Sequence, residues 1–516
     1  MRAALLSHRL ERKRRTSKLA AAVALSGLLA TSGARADDAP APSPPAAPVA
    51  ESRAKADGDA KPVTLDEVLT SVRLSFPLIV AALRDQAAAA GDLLSAEGAF
   101  DPTVKARGGV ASGYYDYGRV EISVEQPTPF WGTSLIAGWR LGQGFSPSGG
   151  GGQFGGIPSY YGELATFDAG EIRAGVSVPL WRNGPIDRRR ASIRRAEIGQ
   201  RIASLSTEQQ KIEAARAAAH RYWDWVAAGA RVAIARDWYE IAKTRDAALG
   251  ERAARGDIPA FEQLENRRTL VQREGAVVAA TRSLEQAAIE LSMYLRDARG
   301  EPALAASSRL PPAFPDAAEP FGMNVEASIE RAHDARPEPA RLSAQREQFD
   351  VDRRFAENQL APGIDLSLVG VKDLGSATDG MIEKQGTPML EVGLTIDIPI
   401  PNRAARGRVE AARAGAEKVE AQAKLVRDRI AADVRDAASA LRAAKLRVEV
   451  AHREVALAEE LEAGERRRFE LGDSTLLIVN LREQATAEAR IREVDAKSDV
   501  QRAMASYRAA LGELGR

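Results

Sequence analysis

No cysteine occurs among the 516 residues, which excludes disulfides, thiolate nucleophiles, thiolate-held zinc or iron–sulfur clusters and the lipid-bearing cysteine of a lipoprotein. Histidine is almost as scarce: His8, His220, His333 and His452 are too scattered to suggest a ligand set. Aromatics make up only 5% of the chain, so any core has to be built from Ala, Val, Leu and Ile, in thin, helix-rich layers. Charge of one sign is lacking too. Basic and acidic side chains number 72 and 71, for a formal net charge of +1, so no field suited to nucleic acid covers the whole molecule. After Ala36 no run approaches the ~18 apolar residues of a membrane-spanning helix.

What is present starts with an export signal. Arg12, Lys13, Arg14, Arg15 and Lys18 precede an apolar run from Leu19 to Ala30, and Ala34-Arg35-Ala36 supplies small residues for cleavage. Residues 1–36 are predicted to be a signal peptide; Thr16-Ser17 after Arg14-Arg15 makes only a weak twin-arginine match. An exported chain without an apolar helix is periplasmic, secreted, or a β-barrel of the outer membrane. Residues 37–62, rich in Ala and Pro, cannot pack a core and read as a flexible leader.

The remainder, 63–516, is written twice, as 63–310 and 321–516. Each half runs helix, strands, very long helix, tight turn, helix. The opening helix is predicted from Thr64 to about Gly98 with a break at Phe76-Pro77, and again from Val325 to Leu360 with a break at Arg336-Pro337. Strands follow over about 103–180 and 364–400. Ile172, Ala174, Val176, Val178 and Leu180 alternate with Glu171, Arg173, Gly175 and Ser177, and Leu390 to Ile400 alternates in the same way. Thr103 to Ala111 and Ile364 to Val371 are their earlier partners. Runs of ~10 residues suit a tilted strand crossing a bilayer. A soluble sandwich with one buried face has the same alternation.

Pro179 and Pro399 cannot donate to a ladder, so each late strand gives way to a helix. Asp187 to Ala254 and Ala404 to Glu470 each hold roughly 68 proline-free residues, or ~100 Å of helix. Their apolar spacing alternates three and four, a coiled-coil seam: Ile212, Ala215, Ala219, Tyr222, Val226, Gly229 and Ala233 in one, and Ile430, Val434, Ala437, Leu441, Ala444, Val448, Ala451, Val455 and Ala458 in the other. The opening and last helices of each half, the last being Ile258 to Arg299 or Ser474 to Gly515, sum to about the length of one long helix. Such pairing fits a cylinder wall better than a globule.

The long helices end at turns, Arg255-Gly256-Asp257-Ile258-Pro259 and Phe469-Glu470-Leu471-Gly472-Asp473-Ser474-Thr475. Glycine supplies the left-handed terminus, and Asp or Ser can cap the next helix. The segments ERAARGDIPAFEQLENRR from Glu251 and FELGDSTLLIVNLREQATAEA from Phe469 resemble the two hairpin tips of the TolC outer-membrane efflux protein family. VPLWRNGPIDRRRA and IPIPNRAARGRVEAARA resemble its strand-to-helix junctions.

That resemblance implies a mixed α and β fold: a trimer sharing a β-barrel in the outer membrane, four strands per protomer and twelve in all, continued by a long periplasmic α-helical coiled-coil barrel. It implies a passive duct of a tripartite efflux or type I secretion system, partnered by a periplasmic adaptor and an inner-membrane transporter. By the same resemblance Arg255, Gly256, Asp257, Leu471, Gly472, Asp473 and Ser474 are the adaptor-contact tips. Where TolC narrows its periplasmic entrance with aspartates, this chain has Ile478 and Leu481, so an aspartate ring is not expected. The stretch from Pro102 to Pro179 is about 40 residues longer than Pro362 to Pro399. It holds a further alternating run, Trp131 to Leu141, expected as a long extracellular hairpin with tryptophans at the lipid interface, or else as extra barrel strands.

Features that look chemical have plainer explanations. Gly150 to Gly155 satisfies a dinucleotide-binding glycine pattern, but Ile157-Pro158 follows where a helix is needed. Arg188, Arg189, Arg190, Arg194 and Arg195 read equally as a solvated face or as a lipid-phosphate contact. Carboxylates face arginines along the helices, without a nucleophile or metal motif. No catalytic residue, cofactor or metal is predicted. The alternative to a duct is a periplasmic coiled-coil scaffold or adaptor without a barrel.

Overall fold

The computed structural model describes residues 61–111, 117–144, 166–256, 258–315, 324–376 and 387–515. The signal peptide, nearly all of the leader and the glycine pattern at 150–155 lie outside them. The described residues fall into two compact units.

The first unit, Gly91–Glu197 with Gln348–Ala416, holds a six-stranded sheet. Its strands are β1 Thr103–Ala111, β2 Tyr117–Pro127, β3 Ser134–Gly144, β4 Glu171–Pro179, β5 Gly363–Asp373 and β6 Met389–Asp397. They lie in sequence order with every neighbour antiparallel. Four strands were implied by the resemblance, and two more are present. The long segment after Pro102 enters the sheet as β2 and β3 instead of forming a separate hairpin. Trp131 is not on a strand: it sits at φ 49° in the turn joining β2 to β3. Pro127, Pro129 and Gly132 break the alternation there, and Thr128 N–H donates to the Thr133 carbonyl at 2.8 Å to close the turn. Strand β6 stops at Asp397, before Pro399 removes a donor.

The second unit, Ser52–Ala90, Ile198–Glu347 and Glu417–Arg516, is helical. Among the described residues the helices are α1 Leu65–Ser75, α2 Pro77–Glu97, α3 Arg188–Ala254, α4 Ala260–Ser292, α5 Val325–Ala335, α6 Pro337–Asn358, α7 Arg403–Glu470 and α8 Leu476–Ala510. The breaks fall at the predicted prolines. Phe76 and Arg336 are extended, as the residue before proline must be. Thr64 and Asn324 cap the following helices by accepting from the Glu67 and Ala327 N–H groups. Helices α4 and α8 are shorter than expected at both ends, α4 giving way at Met293 to a loop whose Asp297 side chain accepts from the Arg299 and Glu301 N–H groups.

Two cores with corresponding parts form in this unit. In one, Val68, Val72 and Ile79 of the opening helices meet Tyr222, Trp225 and Val226 of α3 and Leu291 of α4. In the other, Ile329 and Ala332 of α5 meet Ile430, Val434 and Leu441 of α7 and Val500 and Tyr507 of α8. The α7 seam is buried as predicted through Val455, with Val448 half-buried. The α3 seam departs at its end: Ala233 is exposed, while Val232 and Ala235 are buried, because a straight helix drifts against a strict 3.5-residue repeat. Ion pairs Arg231–Asp495 at 2.5 Å and Arg502–Asp224 at 2.7 Å join α3 to α8.

Candidate functional site

The alternating strands give the sheet two chemically opposed faces. Val104, Ile122, Leu135, Ile172, Leu368 and Val392 share one of them. Most of this face stands open: Val104 is 68% exposed, Val392 65%, Leu394 60% and Ile122 44%, while Val120 on the same face is buried and Trp139 donates to the Ala169 carbonyl beside it. A water-soluble sandwich would bury such a face against a second layer.

Ion pairs line the opposite face. Lys105–Glu125 and Arg140–Glu171 are at 2.5 Å, and Arg173–Glu391 is at 2.7 Å. Glu171 also faces Arg173, and Arg119 meets Glu121. Pairing fixes these long side chains flat across neighbouring strands, and several of them are half-buried or buried by one another. The sheet is thus apolar where it is open and charged where it is crowded.

At the helix end of the sheet the β2–β3 turn docks on the loop after β4. A side chain at Gly184 would meet the Trp131 ring Nε1 at 2.6 Å, and one at Gly132 the Asn183 carbonyl at 2.5 Å. Phe130, Trp131 and Trp181 are exposed there, and the two tryptophans are amphipathic rings of the kind that gather at a membrane interface. Arg190 clamps the same loop, donating to the Asn183 carbonyl at 2.9 Å and the Gly184 carbonyl at 2.6 Å while pairing with Asp187. Arg195 pairs with Asp352, and Arg194 with Glu197. Three members of the basic cluster therefore serve the protein itself.

The two hairpin turns differ in closure. Gly256 has φ +77° and Gly472 φ +85°, with open space where a Cβ would stand. Gly256 N–H donates to the Ala253 carbonyl, and Asp257 lies outside the described residues. At the second turn Gly472 N–H donates to the Phe469 carbonyl at 3.1 Å and Asp473 N–H to the Arg468 carbonyl at 2.8 Å, a glycine-terminated helix end. Ser474 Oγ donates to Glu465, and Leu471 is 78% exposed. Arg255 is exposed. Ile478 and Leu481 lie on the first turns of α8, both exposed.

Residues 328–513 match the family model described as outer membrane efflux protein. The match to that family lies in the second half of the chain. Proteins of this family are transport proteins, not enzymes. The mixed α and β fold is that of solved outer membrane channels. The Campylobacter jejuni CmeC outer membrane channel is 14% identical with a TM-score of 0.59, over 87% of this chain and 85% of that one. The Vibrio cholerae outer membrane protein VceC is 14% identical with a TM-score of 0.59, over 87% and 96%. The open state of the Neisseria gonorrhoeae MtrE outer membrane channel is likewise 14% identical at 0.59, over 87% and 88%. At such identity the likeness is one of fold. Comparison with curated proteins finds no match. Among the described residues no helix is long and apolar enough to cross a membrane.

One constellation of this efflux protein fold is invisible in the sequence. Glu483 of α8 is buried and accepts from Arg273 of α4 at 2.7 Å, from Arg245 of α3, and from Arg466 of α7 at 3.1 Å. Arg273 is fully buried, donates to the Trp238 carbonyl at 2.7 Å and lies 4.6 Å from the centre of the Trp238 ring. Burial alone would raise the Glu483 carboxyl, but Arg245 and Arg273 outweigh it and hold it below the ordinary carboxylate range. Burial lowers the Arg273 guanidinium, and Glu483 offsets only part of that. Four helices from both halves of the chain meet at this one carboxylate.

Proposed function

We propose that the chain is the outer-membrane duct of a tripartite efflux or type I secretion system, passively conducting what an inner-membrane transporter and a periplasmic adaptor deliver. Residues 1–36 direct export, 37–62 form a leader, and 63–516 build one protomer of a homotrimer. The observation that supports this above the others is the largely open apolar face of a sheet whose other face is ion-paired. Lipid against the first face and a water-filled lumen against the second is the arrangement in which both are stable. Left in water, so large an apolar patch drives aggregation.

In this assignment Arg255, Gly256, Asp257, Leu471, Gly472, Asp473 and Ser474 present the adaptor contact, and Ile478 and Leu481 line the periplasmic entrance. A periplasmic scaffold would account for the helical hairpins but leaves the apolar sheet without a partner. Cell fractionation separates the two. Recovery of the processed chain with the outer membrane, and ion conductance by the purified protein in planar bilayers, is the expected result. Recovery in the soluble periplasm would return the scaffold.

A further inference from the structure

The sheet has six strands in sequence order, so its edges are β1 and β6. Each edge strand has 9 residues, with a row of backbone groups left for another chain and an apolar side facing the same way. Six is below the roughly eight strands a barrel needs to close. An unpaired edge in lipid leaves its N–H and C=O groups without partners. With an even number of alternating strands, β6 of one copy and β1 of another run antiparallel, the pairing already used at every other position.

We propose that β6 pairs with β1 of the next copy and that three copies close one eighteen-stranded barrel, not a twelve-stranded one. This rests on the trimeric duct proposed above. Charge supports the joint: on the polar face β1 carries Lys105 and Arg107, while β6 carries Glu391 and Asp397, and since Lys105, Glu391 and Asp397 already meet Glu125, Arg173 and Arg182, the joint would extend that network of pairs to Arg107. Arg107 makes no ion pair among the described residues.

Geometry also fixes the register of that joint. One row of partners crosses the sheet from Thr103 through Glu125, Ile136, Gly175 and Val369 to Glu391. With strands tilted ~35–45°, a rise of ~3.3 Å and a spacing of ~4.8 Å, crossing six strands shifts the row by about six to nine residues. The shift has to be even to keep the apolar side outward, and forward, since a backward one meets α2. Asp397 then stands directly across from Lys105 or diagonal to it. Backbone diameter scales with strand number, giving ~36 Å for eighteen strands against ~24 Å for twelve, a barrel about 1.5-fold wider.

The test uses the full mature chain, whose lack of cysteine removes any background. Arg107→Cys with Thr395→Cys, and Lys105→Cys with Thr395→Cys, cover the two registers. Oxidation of the membrane-embedded protein is expected to yield a covalent ring of three copies for one of these pairs and no cross-link for the single variants. Electron cryomicroscopy of the uncross-linked protein is expected to show the wider barrel. A ring that ends at two copies, a three-copy barrel near 24 Å with β2 and β3 outside it, or no cross-link in protein that conducts ions would each overturn the proposal. Protein that neither inserts nor conducts would instead sink the duct itself, and the eighteen-stranded barrel with it.

Discussion

Replacing Glu483 by Gln keeps the side chain's size and removes the one negative charge that three arginines share. Arg273 is as buried as Glu483, so its guanidinium is left in the interior without a counter-ion. Stripping one partner from a buried pair costs about 3–5 kcal/mol. The Trp238 carbonyl and ring stay in place, which puts the expected loss near the lower end. The helical unit has about 290 residues and unfolds with roughly 2.1 cal/mol/K per residue, so 3–5 kcal/mol corresponds to about 5–8 °C in melting temperature. Circular dichroism of the detergent-purified protein measures the melt. Hydrogen exchange should rise first at 260–275 and 476–490, the starts of α4 and α8. The sign of the pH dependence follows from the depressed carboxyl: its contribution is complete at neutral pH and fades as pH falls through the folded value. The gap between wild type and Glu483→Gln should therefore begin to narrow as pH reaches the ordinary Glu range, about pH 4, and close only below the depressed folded value. Glu483→Leu with Arg273→Met removes both charges and is expected to recover more than half of the loss. A Glu483→Gln melt within about 1 °C of wild type at pH 7 would refute the claim that this carboxylate ties the four helices together.

Gly472→Val combined with Gly256→Val meets open space but forces a β-branched residue to positive φ, at about 1 kcal/mol or more per site; trimer and membrane insertion should persist while efflux is lost, and normal efflux at normal abundance would show the tips to be turns only. Leu394→Arg on the open apolar face should cost about 2–4 kcal/mol if it lies near the bilayer midplane and deplete the protein from outer-membrane fractions, whereas Thr395→Arg on the other face should not; equal behaviour of the two would reverse the assignment of faces. Leu441→Ala empties a fully buried position in the α5–α7–α8 core and should destabilise the helical unit by about 2–5 kcal/mol, read by urea titration, with little effect expected if the core collapses around it.

Local signals carried most of the fold. Proline at 77 and 337 marks breaks because it constrains the residue before it whatever the surroundings, and the α7 seam is legible because each buried position recurs within one or two turns of the last. The charged strand β2 is hard to read although Val120, Ile122 and Val124 alternate with Glu121, Ser123 and Glu125; its polar side is nearly all charge, which reads as loop until ion pairs with adjacent strands are known. Period alone would put Trp131 on a strand, against the turn chemistry of Pro127, Pro129 and Gly132. The Arg273–Glu483 contact spans 210 positions, and nothing local distinguishes those two residues from the many exposed pairs on the same helices.

In the proposed duct, the ion pairs on the charged side of the sheet would also decide what a passing solute feels. Lys105 against Glu125, Arg140 and Arg173 around Glu171, and Arg173 against Glu391 cancel within a few ångströms. A wall built this way presents short dipoles instead of a fixed charge, so its potential dies away within a water layer or two and sets up no Donnan exclusion. Over these pairs, anions, cations and neutral molecules would meet nearly the same electrical landscape. Discrimination among them would have to be exercised before they reach it.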